Sequence, residues 1–325
     1  MNHALLEVDH LVTEFDTDEG RVRAVDDVSF VAREGETLGI VGESGCGKSV
    51  TALSIMRLLP QPMGQIVGGQ VLYDGNDLAQ CSLDKMEKIR GADISMVFQE
   101  PMTALNPVHT IGKQLTEVLL LHKDITPQAA IKESVAMLDR VGIPSPDIRM
   151  TEYPHQLSGG MRQRVVIAIA LACKPSLLIA DEPTTALDVT IQAQILELIK
   201  ELQTEMGMSV ILITHDLGVI AEVCQQVVVM YAGKVAEQGS VFDLFDNPKH
   251  PYSKGLLESI PRLESIPKSK LNTIEGMVPG LLDLPQGCRF ANRCPMVEEQ
   301  CQDSPPNIEQ VSDGHQVSCF RWQKS

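Results

Sequence analysis

Residues 42–49 constrain this chain more than any other segment. They read Gly-Glu-Ser-Gly-Cys-Gly-Lys-Ser and match the pattern G-x-x-x-x-G-K-[S/T]. Glycines let successive backbone N–H groups turn toward one anion, and a following helix adds its N-terminal N–H groups. The apolar run Thr37–Val41 predicts a buried strand before the pattern, and residues 49–59 predict a helix after it. This order predicts a loop that binds nucleotide phosphates.

The glycine-rich loop supplies a set of candidate nucleotide ligands. They are Gly42, Glu43, Ser44, Gly45, Cys46, Gly47, Lys48 and Ser49. In a loop of this kind, the lysine reaches the β- and γ-phosphates and the hydroxyl of the last residue ligates Mg²⁺. We therefore expect ATP and Mg²⁺ as the ligands.

Composition limits the function classes that this chain can serve. It has 325 residues and a formal net charge of −16, which repels phosphate backbones and disfavours nucleic acid as a partner. Neither a secretory signal pattern nor a run of about 18 uncharged apolar residues is present, so we expect other chains to make any membrane crossing. The eight cysteines are expected to be thiols or metal ligands.

Short apolar runs alternate with helical patterns, which predicts an α/β fold with the glycine loop in its core. Residues 5–15 and 22–31 predict an antiparallel strand pair, and residues 101–160 predict an inserted helical subdomain. We expect residues 1–240 to form the nucleotide-binding domain. Residues 241–325, rich in proline and cysteine, are expected to form a small C-terminal extension.

Polar side chains follow three other predicted strands. Asp181 and Glu182 end the run that begins at Leu177, His215 follows residues 210–213, and Gln99 follows residues 94–98. Ligands of open α/β sheets bind at the carboxyl ends of strands, so we expect these side chains near the phosphates. Asp181 and Gln99 are candidate Mg²⁺ ligands, and Glu182 is a candidate base for an attacking water.

A second glycine pair opens the predicted helix after Leu157. Ser158 precedes Gly159 and Gly160, so a capping hydroxyl and exposed N–H groups form another candidate anion site. Two phosphate-binding loops in one chain indicate that two chains enclose ATP between them, each completing the other's site.

With these motifs in this order, residues 4–239 resemble the ABC-type ATPases. The resemblance implies that Glu182 is the catalytic base, that His215 contacts the γ-phosphate, and that Lys48 and Gln99 also serve catalysis. It further implies that Ser158 and Gly160 bind the partner's ATP. It identifies residues 186–188, which end in Asp188, as the D-loop, and Phe15 as the ring that stacks on adenine.

The extension resembles that of dipeptide and oligopeptide importer ATPases, through His-Pro-Tyr at 250–252 and the segment 285–295. Four cysteines follow the spacing C-x5-C-x6-C-x17-C: Cys288, Cys294, Cys301 and Cys319. Zinc sites usually contain shorter chelates, whereas four thiolates also suit a [4Fe–4S] cluster. Some members of the resembled family hold such a cluster, so we expect iron–sulfur, with zinc or no metal as the alternatives.

The resemblance implies the ATP-hydrolysing subunit of a dipeptide or oligopeptide importer, at the cytoplasmic face of the membrane. Its partners would be a second ATPase subunit, two integral permease subunits and, indirectly, an extracytoplasmic peptide-binding protein. Family habit favours a related second ATPase over an identical copy. The alternatives are an importer of nickel or another small solute, a soluble ABC ATPase acting on DNA or ribosomes, and a regulatory module without turnover.

Overall fold

Residues 3–185, 188–260 and 273–324 are described by a computed structural model. They form two compact units. The first unit contains residues 81–212 with the turn at 33–35, and the second contains residues 4–32, 36–80 and 213–324. The expected α/β fold, with an antiparallel β part and an inserted helical part, is confirmed.

The second unit begins with a four-stranded sheet in the order β2-β1-β4-β5. Its strands are β1 (Ala4–Thr17), β2 (Gly20–Arg33), β4 (Gly64–Tyr73) and β5 (Asn76–Asp77). Apolar residues of β1, such as Leu6, Val8 and Leu11, are buried, as expected for a sheet with one covered face, and the alternation shifts at the irregular register between Asp9 and Val12. Thr13 and Ser54 share a hydrogen bond of 2.8 Å between their hydroxyls, which fixes β1 to the helix after the glycine loop.

A second set of strands in this unit surrounds the glycine loop. The strands follow the order β11-β12-β10-β9-β3. They are β3 (Thr37–Val41), β9 (Gln226–Tyr231), β10 (Lys234–Ser240), β11 (Glu309–Ser312) and β12 (His315–Val317). Strands β3 and β9 pair in parallel, with Ile40 opposite Val228, and both are buried throughout their apolar stretches.

The C-terminal extension contributes strands to this sheet. Residue 237 of β10 lies opposite Val317 of β12, so the extension continues the sheet across the domain boundary predicted at residue 240. The helices of the second unit include α1 (Lys48–Ile55), α9 (Leu217–Val223), α10 (Val241–Asp246) and α11 (Pro251–Glu258). Helix α1 ends before the predicted residue 59, because Arg57 adopts a left-handed backbone with φ 50°.

The first unit holds strands in the order β8-β7-β6, of which β6 and β7 are parallel. They are β6 (Ile94–Val97), β7 (Leu177–Asp181) and β8 (Ser209–Ile213), whose last residue belongs to the second unit. All three are buried on both faces, as their continuous apolar sequences predicted. Helix α2 (Leu83–Ile89) precedes β6, and α8 (Val189–Met206) connects β7 to β8.

The helical insertion lies between β6 and β7. Its helices are α3 (Pro101–Ala104), α4 (Ile111–His122), α5 (Pro127–Arg140), α6 (Pro146–Arg149) and α7 (Gly159–Leu171). Thr110 and Thr126 cap α4 and α5, since each hydroxyl accepts a hydrogen bond from a backbone N–H three residues later. Helix α12 (Glu299–Asp303) lies in the C-terminal extension. Within the described ranges, no helix has both the length and the apolarity that a bilayer span requires.

Candidate functional site

The glycine loop follows β3 directly and turns into α1 at Lys48. Gly42, Gly45 and Gly47 have φ angles of 151°, 79° and 99°, which side-chain-bearing residues rarely adopt. A Cβ on Gly47 would lie 2.6 Å from the carbonyl oxygen of Ala24. The loop is therefore closely packed against neighbouring backbone and requires glycine at these positions.

Lys48 is held inside the loop rather than extended into solvent. It is 5% exposed, and its Nζ donates to the carbonyl oxygens of Gly42 at 2.8 Å and Glu43 at 3.1 Å. The carbonyl oxygens of the loop therefore hold the Lys48 ammonium group close to the backbone N–H groups of the same glycine turn. Cys46 is buried under the loop, and burial raises the pKa of its thiol, which makes it a packing residue.

His215 and Phe15 also belong to the second unit. Thr214 donates its N–H to the carbonyl oxygen of Ile40 at 3.2 Å, so His215 begins its turn beside the strand that enters the glycine loop. Asp216 then caps α9 and accepts from two backbone N–H groups. Phe15 is half-buried near the end of β1, opposite Gly64, where a Cβ would approach its ring to 2.9 Å.

In the first unit, Gln99 and Glu182 come together as their strands predicted. Val97 of β6 lies opposite Ala180 of β7, and each functional side chain follows two residues later. The amide nitrogen of Gln99 donates to Oε2 of Glu182 at 3.0 Å. The Thr185 hydroxyl donates to the same oxygen at 2.8 Å.

Asp181 and Glu182 have different environments although they are adjacent. Asp181 ends β7 and is 5% exposed, whereas Glu182 is half-buried and has a left-handed backbone with φ 46°. Non-glycine residues in this region are held there by their surroundings and are frequent at functional sites. The turn directs the Glu182 carboxylate toward Gln99 and Thr185. Sequence reasoning missed Thr185, although it lies one helical turn from the carboxylate.

Ser158 caps α7 by accepting from the N–H of Met161 at 3.4 Å. Gly159 is exposed and a Cβ there would meet no atom within 4 Å, whereas a Cβ on Gly160 would contact Ile191 at 3.2 Å. Apart from its exposed start, α7 is largely buried. The first N–H groups of a long, fixed helix are thus presented at an open surface, as an anion site requires.

Asp188 caps α8, and its Oδ1 accepts from the N–H of Ile191 at 2.9 Å. The other predicted residues of the D-loop, 186 and 187, lie outside the described residues. The candidates are thus divided between the units. The glycine loop, His215 and Phe15 belong to the second, whereas Gln99, Asp181, Glu182, Ser158, Gly159, Gly160 and Asp188 belong to the first.

The four cysteines of the extension line one small cavity. Burial raises the pKa of Cys288 to about 11, and the neighbouring cysteines add to that shift. Three sulfurs accept a hydrogen bond from the backbone N–H two residues later, at Phe290, Met296 and Arg321. Among the described residues, no three His, Cys, Asp or Glu side chains have the geometry that would ligate one metal. The structure thus brings the four thiols around one cavity.

Sequence reasoning also missed Tyr252 and Arg293 of the extension. The Tyr252 hydroxyl accepts from the N–H of Glu43 at 2.9 Å, and the Arg293 guanidinium pairs with the Glu43 carboxylate. The partners are separated by 209 and 250 residues in the chain. The His-Pro-Tyr triplet at 250–252 and the position of Arg293 next to Cys294 were the available signals.

The fold and these motifs define an ABC-type ATPase. The family described as ABC transporter matches residues 25–185, and the family described as the C-terminal region of oligopeptide/dipeptide transporters matches residues 236–301. A putative peptide import ATP-binding protein of Brucella abortus is 52% identical over 98% of both chains. The dipeptide transport ATP-binding protein DppD of Bacillus subtilis is 56% identical over 97% of this chain and 94% of its own.

A dimeric structure of MJ0796, a bacterial ABC transporter cassette, aligns with a TM-score of 0.65 and 28% identity, over 73% of this chain and 98% of that one. The chain therefore belongs to the ABC transporter family, in the group that carries the oligopeptide/dipeptide transporter C-terminal region.

Proposed function

We propose that this chain is the ATP-hydrolysing subunit of an ABC importer for dipeptides or oligopeptides. The position of the Glu182 carboxylate supports the role in ATP hydrolysis. It follows a buried strand and accepts hydrogen bonds from both Gln99 and Thr185. Full-length similarity to proteins named for dipeptide transport and peptide import supports the substrate class. Nickel or another small solute is the alternative substrate.

Within the proposed site, Lys48 binds the β- and γ-phosphates and Phe15 stacks on adenine. Glu182 accepts a proton from the attacking water, and His215 contacts the γ-phosphate. Ser49, Asp181 and Gln99 offer hydroxyl, carboxylate and amide oxygens, the hard ligands that suit Mg²⁺. When bound, Mg²⁺ neutralises negative charge on the phosphate oxygens.

The second half of the site comes from a neighbouring ATPase subunit. Ser158, Gly159 and Gly160 present the N-terminus of α7, and Asp188 lies on the segment expected to face the partner. An exposed helix start with an open glycine supports a role in binding the partner's nucleotide. We propose a related ATPase as the neighbour, with an identical copy as the alternative.

The proposed complex contains two integral permease subunits and receives substrate from an extracytoplasmic peptide-binding protein. This chain acts at the cytoplasmic face, where closing and opening of the ATPase pair moves the permeases. The helical insertion begins just after Gln99, which supports the insertion as the part that transmits this movement. Under this proposal the peptide never touches the chain.

The test of the hydrolytic role is Glu182→Gln, which removes the basic carboxylate but keeps the shape of the side chain. We expect steady-state ATP hydrolysis to fall by about 100-fold or more, while ATP binding persists and a dimer accumulates with ATP. Glu197→Gln, on an exposed position of α8, is the matched control and should hydrolyse ATP normally. Near-normal hydrolysis by Glu182→Gln would refute the assignment.

The substrate class is tested by uptake into membrane vesicles that contain the complete transporter. We expect ATP-dependent accumulation of a labelled dipeptide, lost in Glu182→Gln and insensitive to excess nickel. Accumulation of labelled nickel without dipeptide uptake would favour the alternative substrate.

We further propose that Cys288, Cys294, Cys301 and Cys319 hold a structural [4Fe–4S] cluster, with zinc as the alternative. Their convergence on one cavity and the three N–H···S hydrogen bonds support this fit, because such bonds stabilise thiolates. Gly287 also fits, since a Cβ there would clash with the carbonyl oxygen of Cys301 and separate the cysteine loops.

The cluster is tested by purifying the chain without oxygen and measuring iron, acid-labile sulfide and zinc. We expect equal amounts of iron and sulfide and a brown chromophore, all lost in Cys294→Ser. Cys81→Ser, outside the cavity, should keep them. Stoichiometric zinc without sulfide would select the alternative, and absence of both metals would contradict the proposal.

A further inference from the structure

The C-terminal extension contacts the glycine loop at Glu43 through a hydrogen bond from the Glu43 N–H to Tyr252 and an ion pair with Arg293. A carboxylate at this position is unfavourable in a loop that binds a triphosphate, because like charges repel most strongly where water is partly excluded. The side chain of Glu43 is 33% exposed, so solvent screens its charge only in part. Its neutralisation is therefore a requirement of the site.

Arg293 supplies that neutralisation through a bidentate pair. One terminal nitrogen of its guanidinium lies 2.6 Å from Oε2 of Glu43, and the other lies 3.1 Å from Oε1. Two parallel bonds of this kind fix the orientation of a carboxylate, and the guanidinium neutralises its charge. The Arg293 side chain is 4% exposed, so the pair is shielded on the arginine side.

The extension holds Arg293 firmly in place. Its Nε donates to the carbonyl oxygen of Glu275 at 3.0 Å, and one terminal nitrogen donates to that of Ile274 at 3.2 Å. The guanidinium also lies 5.8 Å from the ring centre of Tyr231 and 6.0 Å from that of Phe290, distances typical of cation–π contact. Contacts other than the pair with Glu43 therefore also hold Arg293 in position.

Tyr252 holds the backbone of the same loop residue. Its ring is fully buried, and its hydroxyl accepts from the Glu43 N–H at 2.9 Å. The ring packs against Tyr231 and Phe290, with centre distances of 4.6 Å and 5.4 Å. The aromatic residues that support Arg293 therefore support Tyr252 as well, and together they fix both the main chain and the side chain of Glu43.

We propose that the C-terminal extension sets the affinity of the glycine loop for nucleoside triphosphate, with Arg293 and Tyr252 as the positioning residues that hold Glu43. This inference rests on the proposed role of residues 42–49 in binding ATP. Arg293 neutralises the carboxylate of Glu43 by forming an ion pair with it. Tyr252 fixes the start of the loop, so that its later N–H groups are aligned for phosphate.

The experiment measures binding of radiolabelled ATP with Mg²⁺ to the full-length chain by equilibrium dialysis. We expect Arg293→Ala to raise the dissociation constant about tenfold, because one uncompensated carboxylate then lies beside the triphosphate. The double variant with Glu43→Gln should bind ATP within about threefold of Glu43→Gln alone, since neither contains a carboxylate to neutralise.

Hydrolysis provides a second readout of positioning. In Arg293→Ala the KM for ATP should rise about tenfold while kcat changes by less than about twofold, because binding rather than chemistry is affected. The matched control is Arg140→Ala, which removes an arginine paired with Glu205 at 2.7 Å in the first unit and should change neither constant. If Arg293→Ala does not fold, Arg293→Gln, which removes the charge but keeps more of the side-chain volume, supplies the same comparison with and without Glu43→Gln.

The inference is wrong if the double variant binds ATP as weakly as Arg293→Ala, because Arg293 would then act through packing of the extension. It is also wrong if Arg293→Ala binds ATP normally. Lys48→Ala separates this failure from that of the proposed function. Normal ATP binding by Lys48→Ala would refute the role of the loop, whereas its loss beside a normal Arg293→Ala would refute only the role of the extension.

Discussion

Gly42 provides the sharpest test of how the glycine loop is built. A Cβ at this position would press into the carbonyl oxygen of Met230 and lie 2.7 Å from Sγ of Cys46. Neither the β9 backbone nor the buried Cys46 can move without disturbing β3, which pairs with β9 at Val41 and Val229. The φ angle of 151° adds strain, because side-chain-bearing residues avoid it.

The two contributions to the cost of Gly42→Ala can be separated. Backbone strain contributes about 1–3 kcal/mol, and overpacking of a closed site contributes about 1–3 kcal/mol more. Gly207, at the end of α8, has φ 68° but no atom within 4 Å of an added Cβ. Gly207→Ala therefore incurs the strain alone, at about 1 kcal/mol.

Urea titration of both variants measures the difference in the free energy of unfolding. We expect Gly42→Ala to lose at least about 1 kcal/mol more than Gly207→Ala. We also expect Gly42→Ala to lose ATP binding, while Gly207→Ala keeps it. Equal losses of stability, within about 0.5 kcal/mol, would refute the argument that the loop closes against Met230.

Three other predictions concern buried or half-buried polar groups. Burial lowers the pKa of His250 to about 4 from its ordinary 6.5, so the unfolded chain binds more protons between these values and stability falls as pH drops through them. Urea titrations at pH 7 and pH 4 give the decrease in the free energy of unfolding between these pH values. This decrease should be about 3 kcal/mol smaller in His250→Gln than in the unmodified chain; an equal decrease would contradict the prediction. Tyr252→Phe leaves the Glu43 N–H without its hydroxyl partner and should lower the free energy of unfolding by about 1–2 kcal/mol at pH 7; no change would contradict it. Thr185→Val removes one donor to Glu182 and should lower kcat about fivefold without changing ATP affinity; a changed affinity alone would contradict the positioning role.

The sequence predicted the central strands and the loop well, because each is a local pattern. Thr37–Val41 is a strand with the predicted bounds, and β7 and β8 differ from prediction by a single residue each. Continuous apolar runs have few alternatives in a chain of this composition. The meeting of Gln99 and Glu182 was also predictable, since both follow strand ends at one edge of a parallel sheet.

Contacts of the extension were not predictable in the same way. The strands β11 and β12 are short and largely polar, so their pairing depends on β10 rather than on an apolar pattern. The pair between Arg293 and Glu43 joins residues far apart in the chain, and nothing local to either residue indicates the other. The cysteine spacing did indicate a shared site, but the N–H···S bonds emerged only with the folded backbone.

We propose that ATP binds between residues 42–49 of this subunit and the serine–glycine loop, here residues 158–160, of a neighbouring ATPase subunit. Vanadate in place of the γ-phosphate, followed by ultraviolet irradiation, cleaves the backbone next to it and so reports both loops in the complete transporter. We expect cleavage within 42–49 and at the serine–glycine loop of the paired ATPase subunit, both dependent on ATP. Cleavage at the glycine loop alone, in an ATP-bound dimer, would contradict it.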